Sequence, residues 1–420
     1  MSRLRLVPLV LLLATAAAAA PDFAALADRH EAATITDRRH LHTIPELSGR
    51  EIETQAYLRE IMSGLPGFEL IDGDWGTGLV AILRGAHEGP LVAWRADIDA
   101  LPLTETTGLP FASTRRDTLG GVETGLMHAC GHDIHMSVAL GAMRILADLR
   151  DEMAGDILWI IQPAEETGEG AKAMLAAGVF EEGRRPACAL ALHDHPTIEC
   201  GRIGVCPGYA SGNVDGFELT VHGRGGHGAY PHHTVDPVSL AARIVLALND
   251  VIAREINVQT PAVISFGSIH GGAKNNVIPD AVVLKATVRT HDDATRALVR
   301  EKIERTVYGL AEAAGAPEPE LVHDLGTPAG YNDPDLVAQV VETATRVLGA
   351  QNVVTYQPGL GGEDFSQYGR VVPGFQFRLG VGRPDRPMTL HSPAFDPDER
   401  SVKIGMRVVA EILWDQLGLR

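Results

Sequence analysis

Cysteine is scarce in this chain of 420 residues: four in all, at 130, 188, 200 and 206. That is too few for a disulfide framework, although Cys200 and Cys206 could pair across their short loop. Positive charge is also in short supply, with 36 Lys and Arg against 54 Asp and Glu, a formal net charge of −18. An acidic surface argues against nucleic acid or an anionic membrane as the partner. Any anionic substrate must therefore be drawn in by local positive charge, such as metal ions. Long apolar runs are missing too. The one uncharged stretch at the start, Leu6 to Ala20, has fifteen residues and ends in five alanines, short of the roughly 20 that span a bilayer. There is no internal repeat, coiled coil or low-complexity tract beyond it.

What is present begins with that stretch. Arg3 and Arg5 precede it, and Ala18-Ala19-Ala20 stand before Pro21. This is the charged, apolar and small-residue order of a secretory signal peptide, so residues 1–20 are expected to be removed and the protein exported, in a bacterium to the periplasm. The mature chain would then carry −20. No cysteine precedes Cys130, so lipid attachment at the cleavage point is excluded.

About 400 residues remain, comfortable for two domains. Phe23 to Leu65 reads helical. Short apolar runs at Leu79–Leu83, Leu91–Trp94, Ile157–Ile161 and Ala187–Leu192 read as buried strands. Between them Ile134, Val138, Ala142, Ile145 and Leu149 recur with a 3.6-residue period, the face of a helix. Strands alternating with helices imply a mostly parallel sheet covered on both faces. The pattern changes near Gly212: Phe217–Val221 alternates as a half-exposed strand, helices are expected from about Asp236 and Asp292, and strands at Val263–Ile269 and Val282–Val288. Past Gly326 the first pattern returns, ending in a helix from about Pro397 to Leu417. The expected organisation is a signal at 1–20, a large α/β domain formed by 21–211 and 327–420, and an inserted α+β domain at 212–326.

Polar residues gather where strands of the large domain end: Asp97 and Asp99, Glu165 and Glu166, His193. Cys130 and His132 lie just before the helix. In open α/β sheets the crevice beyond the carboxyl ends of strands is where ligands bind. Thiolate, imidazole and carboxylate together suit zinc or a neighbour such as manganese, cobalt or nickel. Each segment alone has a duller explanation, since a buried thiol is commonly packing. Four converging on one crevice point to a functional site for divalent ions.

These segments carry a resemblance. Arg38-Arg-His-Leu-His-Thr-Ile-Pro-Glu-Leu-Ser48, Arg95-Ala-Asp-Ile-Asp-Ala-Leu-Pro102, Met127-His-Ala-Cys-Gly-His-Asp133 and Gln162-Pro-Ala-Glu-Glu166 come first. Gly223-Arg-Gly-Gly-His227 with Pro231-His232, Asn276-Val-Ile-Pro-Asp280, Gly362-Glu-Asp-Phe365 and Leu390-His-Ser-Pro393 follow. In order and spacing the chain resembles the metallopeptidase family of aminoacylase, carboxypeptidase G and succinyl-diaminopimelate desuccinylase. Its match is nearest to the branch of hippurate hydrolase and the indole-acetyl-amino-acid hydrolases. The resemblance implies a large mixed-sheet, phosphorylase/hydrolase-like catalytic domain with an inserted dimerisation domain. It implies two divalent metal ions per subunit, zinc or manganese with cobalt or nickel as other candidates, held by Cys130, His132, Glu166, His193 and His391. Cys130 stands where other branches place a bridging aspartate, and Asp97 where they carry a ligand histidine.

It further implies Glu165 as general base and Asp99 as the carboxylate orienting the apparatus. His227 would reach a partner subunit's site to stabilise the oxyanion, and Asn276 and Arg289 would bind the substrate's amide and carboxylate. The expected activity is hydrolysis of N-acyl amino acids, small molecules, by a homodimer or higher homo-oligomer. A carboxypeptidase or dipeptidase is the alternative, and a periplasmic metal or ligand binder without catalysis a third reading. The latter has no use for a free Glu165 beside Glu166. His195, two residues past His193, is expected to face solvent.

Overall fold

A computed structural model describes residues 20–419; nearly all of the leader expected at 1–20 lies outside the described residues. Among the described residues no helix is long and apolar enough to cross a membrane.

The chain starts in a helix, Phe23–Thr43, capped by the Asp22 carboxylate, which accepts from the Ala25 amide at 3.0 Å. The helical region expected up to Leu65 is in fact two helices, the second being Ile52–Gly64. Pro45 is the cause: it disfavours helical backbone at Ile44, and the chain leaves the axis there.

The large sheet has eight strands in the order Phe68–Ile71, Leu79–Arg84, Ala154–Gln162, His87–Asp97, Cys188–Glu199, Gly374–Gly382, Ile203–Val205, Val353–Thr355. Its four central strands run parallel to one another. Antiparallel neighbours flank them on both sides, so the sheet is mixed rather than mostly parallel. Both faces are covered, which is why the central strands read as continuous apolar runs. Ile157, Trp159 and Ile161 face one core, shared with the helices His132–Asp148 and Arg400–Gln416. Leu158 and Ile160 face a smaller core on the other side, with Met174, Phe180 and Tyr368.

Residues between Asn213 and Leu325 build a second, four-stranded antiparallel sheet, ordered Ala262–His270, Ala281–Thr290, Asn213–His222, Glu320–Leu325. Phe217, Leu219 and Val221 point to one face, where they meet Leu240, Ile244 and Leu248 of helix Pro237–Arg254 and Val299, Ile303 and Val307 of helix Asp293–Ala313. Intervening strand residues stay half-exposed or exposed, as period-two alternation requires. Asp236 and Asp292 cap the two helices, each accepting backbone amides of the first turn. The protein is thus an α/β chain with a large mixed sheet and a smaller α+β layer inserted within it.

Candidate metal centre

Because the four central strands run the same way, their carboxyl ends share one edge, where a cavity of about 600 Å³ opens. Such a volume suits a small organic ligand. Cys130, Glu165, Glu166, His193, His391 and Arg289 all line it, and His132 lies fully buried beneath.

Cys130 is at the centre. Its Sγ lies 3.5 Å from His193 Nε2 and 3.2 Å from His391 Nε2. His391 Nε2 is 3.6 Å from Glu166 Oε2. His132 Nε2 is 3.9 Å from both Glu165 Oε2 and Glu166 Oε1. Ligand atoms of two overlapping groups, Cys130 with His132 and His193, and Cys130 with Glu166 and His391, each lie within 4.8 Å of one another.

The ring orientations are set from behind. His132 Nδ1 donates to the Asp99 carbonyl at 2.8 Å, and His193 Nδ1 donates to the Asp194 carbonyl at 2.8 Å. Each ring therefore turns its Nε2 towards Cys130 and the carboxylates, the outer-partner arrangement of metal-binding histidines. Asp99 receives Ser48 Oγ at 2.6 Å and the Glu166 amide at 3.0 Å, which fixes the turn bearing both glutamates.

Backbone geometry is strained where it must deliver ligands. Ala164, before the glutamate pair, and His391 are left-handed at φ 54° and 58°, a conformation that non-glycine residues hold only when their surroundings enforce it. Gly131 (φ 78°) separates Cys130 from His132; a Cβ there would lie 2.4 Å from an Asp194 carboxylate oxygen.

These donors fit divalent cations. Buried His132 Nε2 and Glu166 Oε1 have no hydrogen-bond partner, an expensive state that a cation relieves. Burial, with the Glu166 and Glu165 charges adding, pushes the Cys130 thiol well above its usual range; a bound cation reverses that by taking the thiolate directly. Burial also raises Glu165 well above the ordinary carboxylate range, reinforced by Glu363 and Asp364.

Several buried groups here were not singled out from sequence. Arg95 pairs with Asp97, with Glu363 at 3.1 Å and with Asp364 at 2.7 Å. His135 joins Asp97 Oδ1 at 2.6 Å to Asp194 Oδ1 at 3.0 Å. The Asp97 side chain is therefore held by Arg95 and His135, with His132 Nε2 no nearer than 3.9 Å. His135 was legible in part, being one helical turn after His132. Asp194 follows His193 directly.

One expectation needs correction. His195 does not face solvent: it is half-buried and lines the cavity beside Tyr356. Cys200 and Cys206, which could have paired, are both free.

The substrate-side residues divide. Arg289 reaches the cavity, its Nη1 donating to the carbonyls of Asp215 (3.2 Å) and Val288 (3.3 Å) and to the Thr287 hydroxyl. His227 and Asn276 are exposed and line no part of it. They sit together on a two-stranded ladder, where His227 pairs with Val277 and the Gly228 amide donates to the Asn276 carbonyl at 2.9 Å. Within one chain they are not brought to the donor cluster.

The chain is similar to known proteins over most of its length. The chain is 36% identical over 379 residues to the N-acetylcysteine deacetylase of Bacillus subtilis (strain 168), covering 90% of this chain and 95% of that one. It is 34% identical over 373 residues to the N-acetyldiaminopimelate deacetylase of Brevibacillus brevis, covering 89% and 95%. The crystal structure of a Bacillus subtilis dinuclear metal-binding peptidase of the M20 family matches with a TM-score of 0.81 at 33% identity, covering 94% of this chain and 100% of that one. Residues 93–415 match the model of peptidase family M20/M25/M40, and this chain, a hydrolase, belongs to that family.

Proposed function

We propose that this hydrolase cleaves the amide bond of N-acyl amino acids, hippurate-like or related conjugates, using two divalent ions, zinc or manganese. The observation that carries the reading is the Cys130 thiol shared by two donor groups, with Glu165 beside them at the cavity wall. Ions bound there would lower the pKa of a shared water and polarise the scissile carbonyl.

The chain's own residues supply the rest. Cys130, His132, Glu166, His193 and His391 hold the ions, and Asp99 orients His132 and the glutamate turn. Glu165 takes the proton of the attacking water and returns it to the leaving nitrogen. Arg289 offers a planar fork to the carboxylate of the leaving amino acid. His227 of a second copy meets the developing oxyanion, with Asn276 beside it holding the substrate amide, so the working unit is a homodimer.

Acyl amino acids are favoured over peptides with a free amino terminus by the cavity's carboxylates. Glu363 and Asp364 are tied to Arg95, which leaves neither of them to receive an ammonium group. A hydrolysis panel of N-acyl amino acids and dipeptides, on metal-stripped protein with each ion restored, tests this. Turnover of the acyl amino acids should return only with a divalent ion. Dipeptides cut faster than every acyl amino acid would overturn the reading.

Cys130→Ser should weaken metal binding and move preference away from zinc, because a hydroxyl is a harder and less acidic donor than a thiol. Metal titration followed by elemental analysis reads the change. Unaltered affinity and preference would reduce Cys130 to packing.

A further inference from the structure

Arg378 is a cation that the chemistry described so far does not use. It sits on the central strand Gly374–Gly382, in register with His193 of the neighbouring parallel strand. Residues in register on adjacent strands project from the same face, about 5 Å apart. Its side chain accordingly leaves the sheet alongside a donor of the metal centre and lines the same cavity. Among the described residues its guanidinium forms no ion pair with a carboxylate; it lies over the Tyr356 ring at 5.6 Å, with His195 and Cys206 near enough to feel its charge. Arg95, one strand further along the sheet, is in contrast surrounded by Asp97, Glu363 and Asp364.

A half-buried guanidinium without a counter-charge is costly, and a ring beneath it orients the fork while leaving its edges free. Arg289, the other arginine of the cavity, hydrogen-bonds only carbonyls and a hydroxyl, and the one carboxylate near it, Asp215, is paired with Arg296. In a chain of net charge −18, two arginines that form no direct ion pair in one cavity are a local exception, and local positive charge of this kind draws anions.

We infer that Arg378 is a specificity-determining residue that binds a second carboxylate, so that the preferred substrates are N-acyl amino acids with two carboxylates. The second stands on the side chain of the amino acid or at the far end of the acyl group. The inference rests on the N-acyl amino acid reading, with Arg289 holding the first carboxylate.

Three probes separate the cases: N-acetyl-L-alanine, with one carboxylate; N-acetyl-L-glutamate, with the second on the side chain; and N-succinyl-L-alanine, with the second on the acyl group. Binding is measured by calorimetry on the metal-loaded full chain carrying Glu165→Gln, so that ligands survive, and turnover on the wild type. One of the two diacids should bind at least about tenfold more tightly than N-acetyl-L-alanine, and which one identifies the source of the carboxylate. Arg378→Met, which keeps an apolar stem over Tyr356, should erase that preference through KM while kcat for N-acetyl-L-alanine stays within about twofold. Arg378→Lys should restore part of it.

Equal binding of all three probes, or a preference that survives Arg378→Met, overturns the inference. Tight diacid binding that depends on Arg378, with no hydrolysis of any probe, upholds the anion subsite and sinks the amidohydrolase reading. Turnover of N-acetyl-L-alanine with no diacid preference does the reverse.

Discussion

Glu165→Gln should bind its metal ions as the wild type does while turnover falls about 10²–10⁴-fold, the usual worth of a positioned acid–base group. The two adjacent glutamates are chemically alike, and geometry separates them. Glu166 belongs to the donor group with Cys130 and His391, and both glutamates to the group with His132. Glu165 also lies against the buried carboxylates of Glu363 and Asp364, which with burial favour its protonated form. Glu166→Gln should therefore lose metal, and Glu165→Gln should lose the proton acceptor. Elemental analysis and steady-state kinetics on the two variants distinguish the outcomes. Substantial turnover by Glu165→Gln would remove the proposed mechanism, and metal loss in that variant would make Glu165 a ligand instead.

Cys130, His132, Glu166 and His193 were legible in the sequence because they stand near the end of an apolar run or just before a helix with a clear 3.6-residue period, whereas His391 lies in a loop and was expected from the family resemblance alone. The sheet's central strands were legible for the same reason, being buried on both faces. What escaped was mostly set by pairing across the sheet. That Arg95 pairs with Asp97, Glu363 and Asp364 requires residues up to 269 positions apart to meet, and no local pattern carries that. The flanking antiparallel strands are short or pair through register alone, so the sheet's mixed character was hidden as well. His195 is a different case. Residues two apart on a strand share a face, and since His193 and His195 both lie on Cys188–Glu199, alternation alone points His195 to the cavity side. Pro45 was equally visible as the break between the first two helices.

Mixing inactive His227→Ala and Glu165→Ala homodimers under conditions that exchange subunits should restore activity. His227 and Asn276 share one exposed ladder, off the cavity of their own chain, which fits a role in the site of a second copy. In a mixed dimer one site then carries both defects, while the other combines an intact Glu165 with an intact His227 from its neighbour. Random exchange makes half of the dimers mixed, each with one good site of two, so recovery should approach about a quarter of wild type for a closed two-fold dimer. If His227 served its own chain, every site would keep one defect and mixing would recover nothing. Activity that stays at the level of the parent variants, with exchange demonstrated independently by differently tagged subunits, would end the shared-site proposal.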